Sequence, residues 1–186
     1  MKKSFIILLL VSLMTFCSCE RCNRPLEPAM TIENVIKLDK DVMVSKDKES
    51  FIWLETLVRL ESYLDEENDG SYDEVVNVFQ AINNGEPMVY KFQHFKDGTN
   101  TADSIIGFWI EDHPLLDSLL NVPYDSAFVL MSEANLPKPH SKNVILRNPI
   151  GPKLCNPQWV FGNIDTQIWV DATDGNISKS NPAFPE

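Results

Sequence analysis

Histidine is scarce in this chain and scattered: His94, His113 and His140 are the only three. No His-Glu-x-x-His helix is present to seat zinc, and no Gly-x-Ser-x-Gly turn presents a nucleophilic serine. Cys155 is flanked by Leu154, Asn156 and Pro157, which offer no helix N-terminus to lower a thiol pKa. With no nucleophile matched to a base and no complete ligand shell, the sequence argues against an enzyme. Positive charge is also short: 16 Lys and Arg against 27 Asp and Glu leave a net charge of -11. Such a chain repels phosphate backbones and anionic headgroups, which excludes nucleic acid as a partner. Past the N-terminus no apolar run approaches membrane-spanning length, since Ile105 to Ile110 is broken at Glu111, Asp112 and Pro114.

Apolar residues do run together at the start. Lys2 and Lys3 precede an unbroken stretch from Phe5 to Val11, and Phe16-Cys17-Ser18-Cys19 sets a small residue directly before a cysteine. The stretch is too short for a permanent span of roughly 20 residues, so it reads as a secretory signal. Its ending is similar to that of bacterial lipoprotein signals. That resemblance implies cleavage after Ser18, acylation of Cys19 by palmitate-type chains, and residence in the cell envelope. Glu20, where aspartate would mark retention, implies the outer membrane ahead of the inner. Residues 1–18 are then a signal, 19–30 a flexible tether carrying Asn23, Pro25 and Pro28, and 31–186 a single domain. Losing Lys2 and Lys3 takes the mature charge to about -13, so the lipid and no basic patch provides the hold on the membrane. Cys22 and Cys155 remain as a pair that an envelope compartment would permit, or as separate thiols.

Along the domain, Thr31 to Val44 fits either a helix, from the spacing of Ile32, Val35 and Ile36, or a turn and strand. Phe51 to Leu64 reads as a helix with Leu54, Leu57, Val58 and Leu60 on its apolar face. Ser71 to Ile82 reads as a second, opened by a Ser71/Glu74 capping box and stopped by Asn83-Asn84-Gly85. Met88 to Phe95 and Ser104 to Ile110 have the makings of a hairpin around Lys96-Asp97-Gly98-Thr99. A short helix is expected from Pro114 to Leu120, a longer one from Tyr124 to Ala134, and strands at Asn143 to Arg147, Gln158 to Phe161 and Thr166 to Val170. This order predicts an α+β fold: helices packed on one face of an antiparallel sheet, with the C-terminal helix followed by three antiparallel strands.

Pro157-Gln158-Trp159-Val160-Phe161 and Gln167-Ile168-Trp169-Val170-Asp171-Ala172-Thr173-Asp174-Gly175-Asn176-Ile177 resemble the end of a PepSY module, a unit of peptidase propeptides and envelope proteins. Asp174 stands where that family usually has threonine. The likeness covers residues 124–177 and implies one helix, three strands and a non-catalytic role, binding or inhibiting a secreted peptidase or another envelope protein. Independently of it, Asp171 is expected to accept amide hydrogens in an Asx-turn, with Gly175 supplying a left-handed position. An earlier copy of the unit would begin with a helix at 51–64 or 71–82 and continue through 88–95 and 104–110.

Two further sites follow from residue type. Asp65, Glu67, Asp69 and Asp73 alternate around Gly70 in the manner of a calcium loop between two helices, although Val76 stands where a bidentate glutamate should close the shell. The alternatives are an acidic calcium-binding module of weak affinity and a plain solvated turn. Trp109, Trp159 and Trp169 lie on expected neighbouring strands, where they either fill the interior or form an exposed binding face.

Overall fold

The computed structural model of the protein describes residues 31–46 and 50–184. The expected signal (1–18) and tether (19–30), with the expected acylation position Cys19 and with Cys22, lie outside the described residues.

The ambiguous first segment is a helix, α1 (Ile32–Ser45), started by Thr31, whose Oγ1 accepts from the Asn34 amide at 3.3 Å. Ile32, Val35, Ile36, Asp39 and Met43 form its buried stripe at three- and four-residue spacing. The two helices expected next are strands: β1 (Phe51–Leu60) and β2 (Tyr72–Asn83). In β1 the register shifts between Trp53 and Glu55, so Leu54 is an inserted bulge residue. That extra residue breaks the alternation of the strand and leaves Leu54, Leu57 and Val58 at the spacing of a helix. β2 is buried on both faces from Val75 to Phe79, and a strand covered on both sides carries an unbroken apolar run. Ser71 and Glu74 form no capping box: the Glu74 carboxylate accepts from Gln93 across the sheet. Asn84 and Gly85, at φ of 52° and 84°, do not stop a helix but form the two-residue turn into β3 (Glu86–Phe95), since a type I′ turn needs positive φ at both positions.

After the Lys96–Thr99 turn, β4 (Asn100–Ile106) returns earlier than expected. There follow β5 (Asp112–His113), a single 3-10 turn at Asp117–Leu119 in place of the short helix, α2 (Tyr124–Glu133), β6 (Asn143–Pro149), β7 (Gln158–Asn163), β8 (Thr166–Asp171) and β9 (Ile177–Ser178). The fold is α+β. One antiparallel sheet runs β4-β3-β2-β1-β6-β7-β8-β9, with β5 beside the end of β6. Two groups of a helix and three strands, α1-β1-β2-β3 and α2-β6-β7-β8, meet at β1 and β6. The earlier group therefore starts at α1, and neither 51–64 nor 71–82 supplies its helix.

Ile36 and Met43 of α1 and Tyr124, Ala127 and Phe128 of α2 enter one core with Val58, Phe79, Phe92, Leu146, Trp159 and Phe161. Burying a side chain of this size contributes about 1.5–3 kcal/mol.

Candidate binding cleft

Trp53 of β1, together with Leu146 of β6 and its register partner Trp159 of β7, floors a cleft of about 320 Å³. Ile36, Lys37 and Lys40 of α1 form one wall, and Leu120, Val122 and Pro123, leading into α2, form the other. The indoles are fixed by their N–H groups. Trp159 Nε1 donates to the Val122 carbonyl at 2.9 Å, and Trp53 Nε1 donates to Thr56 Oγ1 at 3.2 Å. What the rings leave toward the cleft is apolar.

The charged rim is mostly engaged. Lys40 Nζ pairs with Asp117 and stands 4.0 Å from the centre of the Trp53 ring, a cation–π contact. Glu33 Oε1 accepts from the Tyr124 amide at 3.0 Å, so a side chain of α1 caps the N-terminus of α2 in place of a residue preceding that helix. Lys37 is exposed and forms no ion pair among the described residues; it leaves one positive charge at the mouth. An apolar floor with a few placed polar groups suits binding. No cysteine, serine or histidine lines it.

Beneath α1 a buried polar chain reaches the cleft floor. His94 Nε2 meets Asp39 Oδ1 at 2.8 Å, Asn77 Nδ2 donates to Asp39 Oδ2 at 2.7 Å, and Thr56 Oγ1 donates to Asn77 Oδ1 while accepting from Trp53. Asp39, Thr56 and Asn77 are all essentially inaccessible, so each bond replaces water that the group has lost. Asp39, Thr56 and Asn77 did not stand out in the sequence. The available signal was Asp39 falling in register with Ile32, Val35, Ile36 and Met43 on a helical stripe.

The three tryptophans do not share a face. Trp159 is opposite Val170 and Trp169 opposite Val160, so the two rings project to opposite sides of the sheet, and both are buried. Trp109 sits half-buried on the segment after β4, its backbone N–H on Gln80 and its Nε1 donating to Asp112 Oδ2 at 3.1 Å. The tryptophan that joins Trp159 is Trp53.

On the opposite side of the sheet Arg147 pairs with one carboxylate and neighbours another. Its Nε donates to Asp112 Oδ1 at 2.7 Å, and it is the register partner of Glu55. Burial, and then the charge of Asp112, push the Glu55 carboxyl up to about 7 against the pull of Arg147 and Lys91. Burial also raises Asp112, opposed by Arg147 and by the Trp109 hydrogen bond.

The acidic 65–73 segment joins two strands, not two helices. Asp65 receives His140 Nδ1 at 3.0 Å, Asp69 Oδ1 accepts from the Ser71 amide at 2.9 Å, and the Asp73 carbonyl accepts from the Lys96 amide. The bond from Ser71 holds the Asp69 carboxyl below its usual range. Among the described residues no three His, Cys, Asp or Glu side chains gather where they could hold a metal, so Asp65, Glu67, Asp69 and Asp73 are not brought together as a calcium shell.

Asp171 does form its turn: Oδ1 accepts from the Thr173 amide at 2.8 Å, and Gly175 has φ of 78°. Its carboxylate also accepts from Asn156 and Gln158. Among the described residues Cys155 is a free, half-buried thiol, raised by burial and by the Asp171 charge, and so a poor nucleophile. No protein-family model, curated protein or solved structure matches this chain.

Proposed function

We propose that this chain is a lipid-anchored protein of the cell envelope, tethered through Cys19 at the outer membrane, that binds a protein partner without catalysis. Its cleft is the recognition site, and the partner is a secreted peptidase or another envelope protein. The observation that carries the reading is the cleft itself: Trp53 and Trp159 locked by their N–H groups, with Lys40, Asp117 and Glu33 committed to structural bonds. Preorganised apolar surface lowers the ordering cost of binding, and committed charges cannot serve as acid or base. In this reading both helices lie on one face of the sheet and frame the cleft; the register supports it, because the strand residues of the shared core alternate onto a single face. The order α2-β6-β7-β8 and the Asp171 turn support likeness to a PepSY unit.

Mass spectrometry of the protein from its native envelope tests the anchor, with an acylated Cys19 as the first residue expected and an unmodified N-terminus contradicting it. Chemical crosslinking followed by affinity recovery tests the cleft. A discrete partner is expected with the natural chain and lost with Leu120→Arg, a half-exposed wall position; equal recovery by both contradicts the assignment.

A further inference from the structure

β4 ends the sheet, and all seven of its residues are exposed. The direction of its backbone groups follows from its two ends. Phe95 N donates to Thr99 O at 2.9 Å, and Gly107 N donates to Pro87 O at 2.9 Å. These two pairs extend the β3–β4 register by one position at either end, and hydrogen-bonded pairs alternate with non-bonded ones in an antiparallel ladder. Thr101, Asp103 and Ile105 therefore bond inward to β3, while Asn100, Ala102, Ser104 and Ile106 direct their N–H and C=O groups outward.

Natural sheet edges are usually shielded by proline, lysine, a bulge or a covering segment. β4 has no proline and no lysine, its register with β3 is unbroken, and it continues into exposed apolar residues: Ile105, Ile106, Phe108 and Ile110 are 63–79 % accessible. Its one guard is Asp103, whose Oδ1 accepts from the outward Ser104 amide at 2.7 Å. Lys91 is the register partner of Asp103 on the same face, yet no ion pair joins them among the described residues. The carboxylate lies along the open edge.

We propose that β4 is a docking edge for an extended, lysine- or arginine-bearing segment of a partner protein, which adds to the sheet as a further strand. A cationic side chain arriving on the Asp103 face draws the carboxylate away and frees the Ser104 amide, while apolar residues on its other face meet Ile106. Charge sets the choice of occupant: a second copy would bring its own Asp103 and the same net charge of -11 against this edge. The strand-addition mode takes affinity from main-chain bonds and selectivity from alternate side chains. This surface is separate from the cleft, so either assignment can fail alone.

The test uses fluorescence polarisation with a labelled peptide of about nine residues alternating lysine and valine, a glutamate–valine counterpart, and a lysine peptide N-methylated along one edge. Saturable binding of the plain lysine peptide is expected, with the other two at least about tenfold weaker. Ala102→Pro removes an outward N–H and leaves the β3 ladder intact, so it is expected to keep the melting temperature and lose at least about tenfold in affinity. Asp103→Lys reverses the preference between the lysine and glutamate peptides. Binding that is absent, indifferent to methylation, or unchanged in a folded Ala102→Pro protein overturns the proposal. Concentration-dependent dimerisation abolished by Ala102→Pro overturns it in favour of a second copy, and the peptide arms decide the matter should that variant not fold.

Discussion

His94 Nε2 lies 2.8 Å from one oxygen of Asp39 and 3.0 Å from the other, joining the edge-side strand β3 to the underside of α1. Asp39 also serves Asn77, so removing it strands the buried Asn77 amide and the half-buried His94 ring. Asp39→Ala is expected to cost about 3 kcal/mol, and Asn77→Ala about 2. The double variant should cost less than their sum by about 1 kcal/mol or more, because both break one chain. Chemical denaturation of the four proteins checks this, and simple additivity would mean the chain is not a unit.

Glu55 gives the fold a pH dependence of definite sign. Its carboxyl titrates at 4.5 in the open chain and about 7 in the folded one, so folding takes up the proton. The associated stability is fully present below about pH 4.5 and is lost as pH rises through about 7, by up to about 3 kcal/mol before screening by residual solvent. Asp112, also raised, acts in the same direction, and Glu111, Arg147 and Lys91 are the other charges facing the site. Glu55→Gln should flatten the profile between pH 5 and 8 and melt above the natural protein at pH 8, as read by calorimetry.

Asp171→Ala should destabilise by about 0.5–2 kcal/mol, because it deletes the acceptor of the Thr173 amide and of Asn156 Nδ2. Thermal melting is the readout. Asp171→Asn, which keeps an acceptor for the amide, should recover about half of the loss.

Calcium at a few millimolar should leave the melting temperature unchanged. The 65–73 turn is already closed by Asn68 Oδ1 on the Gly70 amide, Asp69 on Ser71 and Asp65 on His140, and no third acid joins them. A calcium-dependent rise in melting temperature would restore the metal reading.

The second half of the fold was legible because its punctuation is strong. Pro123 precedes α2, Pro137 and Pro139 follow it, and Gly162-Asn163 and Gly175 bound the short apolar runs of β7 and β8. The first half was misread where local pattern and tertiary placement diverge. Leu54 is out of phase because it is a bulge, and β2 carries Val75, Val76, Val78 and Phe79 because both of its faces are covered. The β-branched content of β2 was the better guide. Of the cleft, only Trp159 was anticipated. Trp53, Lys40 and Glu33 converge from β1 and α1, and that convergence depends on a pairing of β1 with β6 that spans nearly ninety residues, beyond what local periodicity reports.

Site-specific photocrosslinking in the cells that make the protein tests the binding cleft most directly. A photoreactive residue in place of Lys37, at the cleft mouth, should yield a discrete adduct with one partner, while the same residue in place of Ile164, exposed on the β7–β8 turn, should not. Adducts of equal yield from both positions, or from neither, would contradict the account.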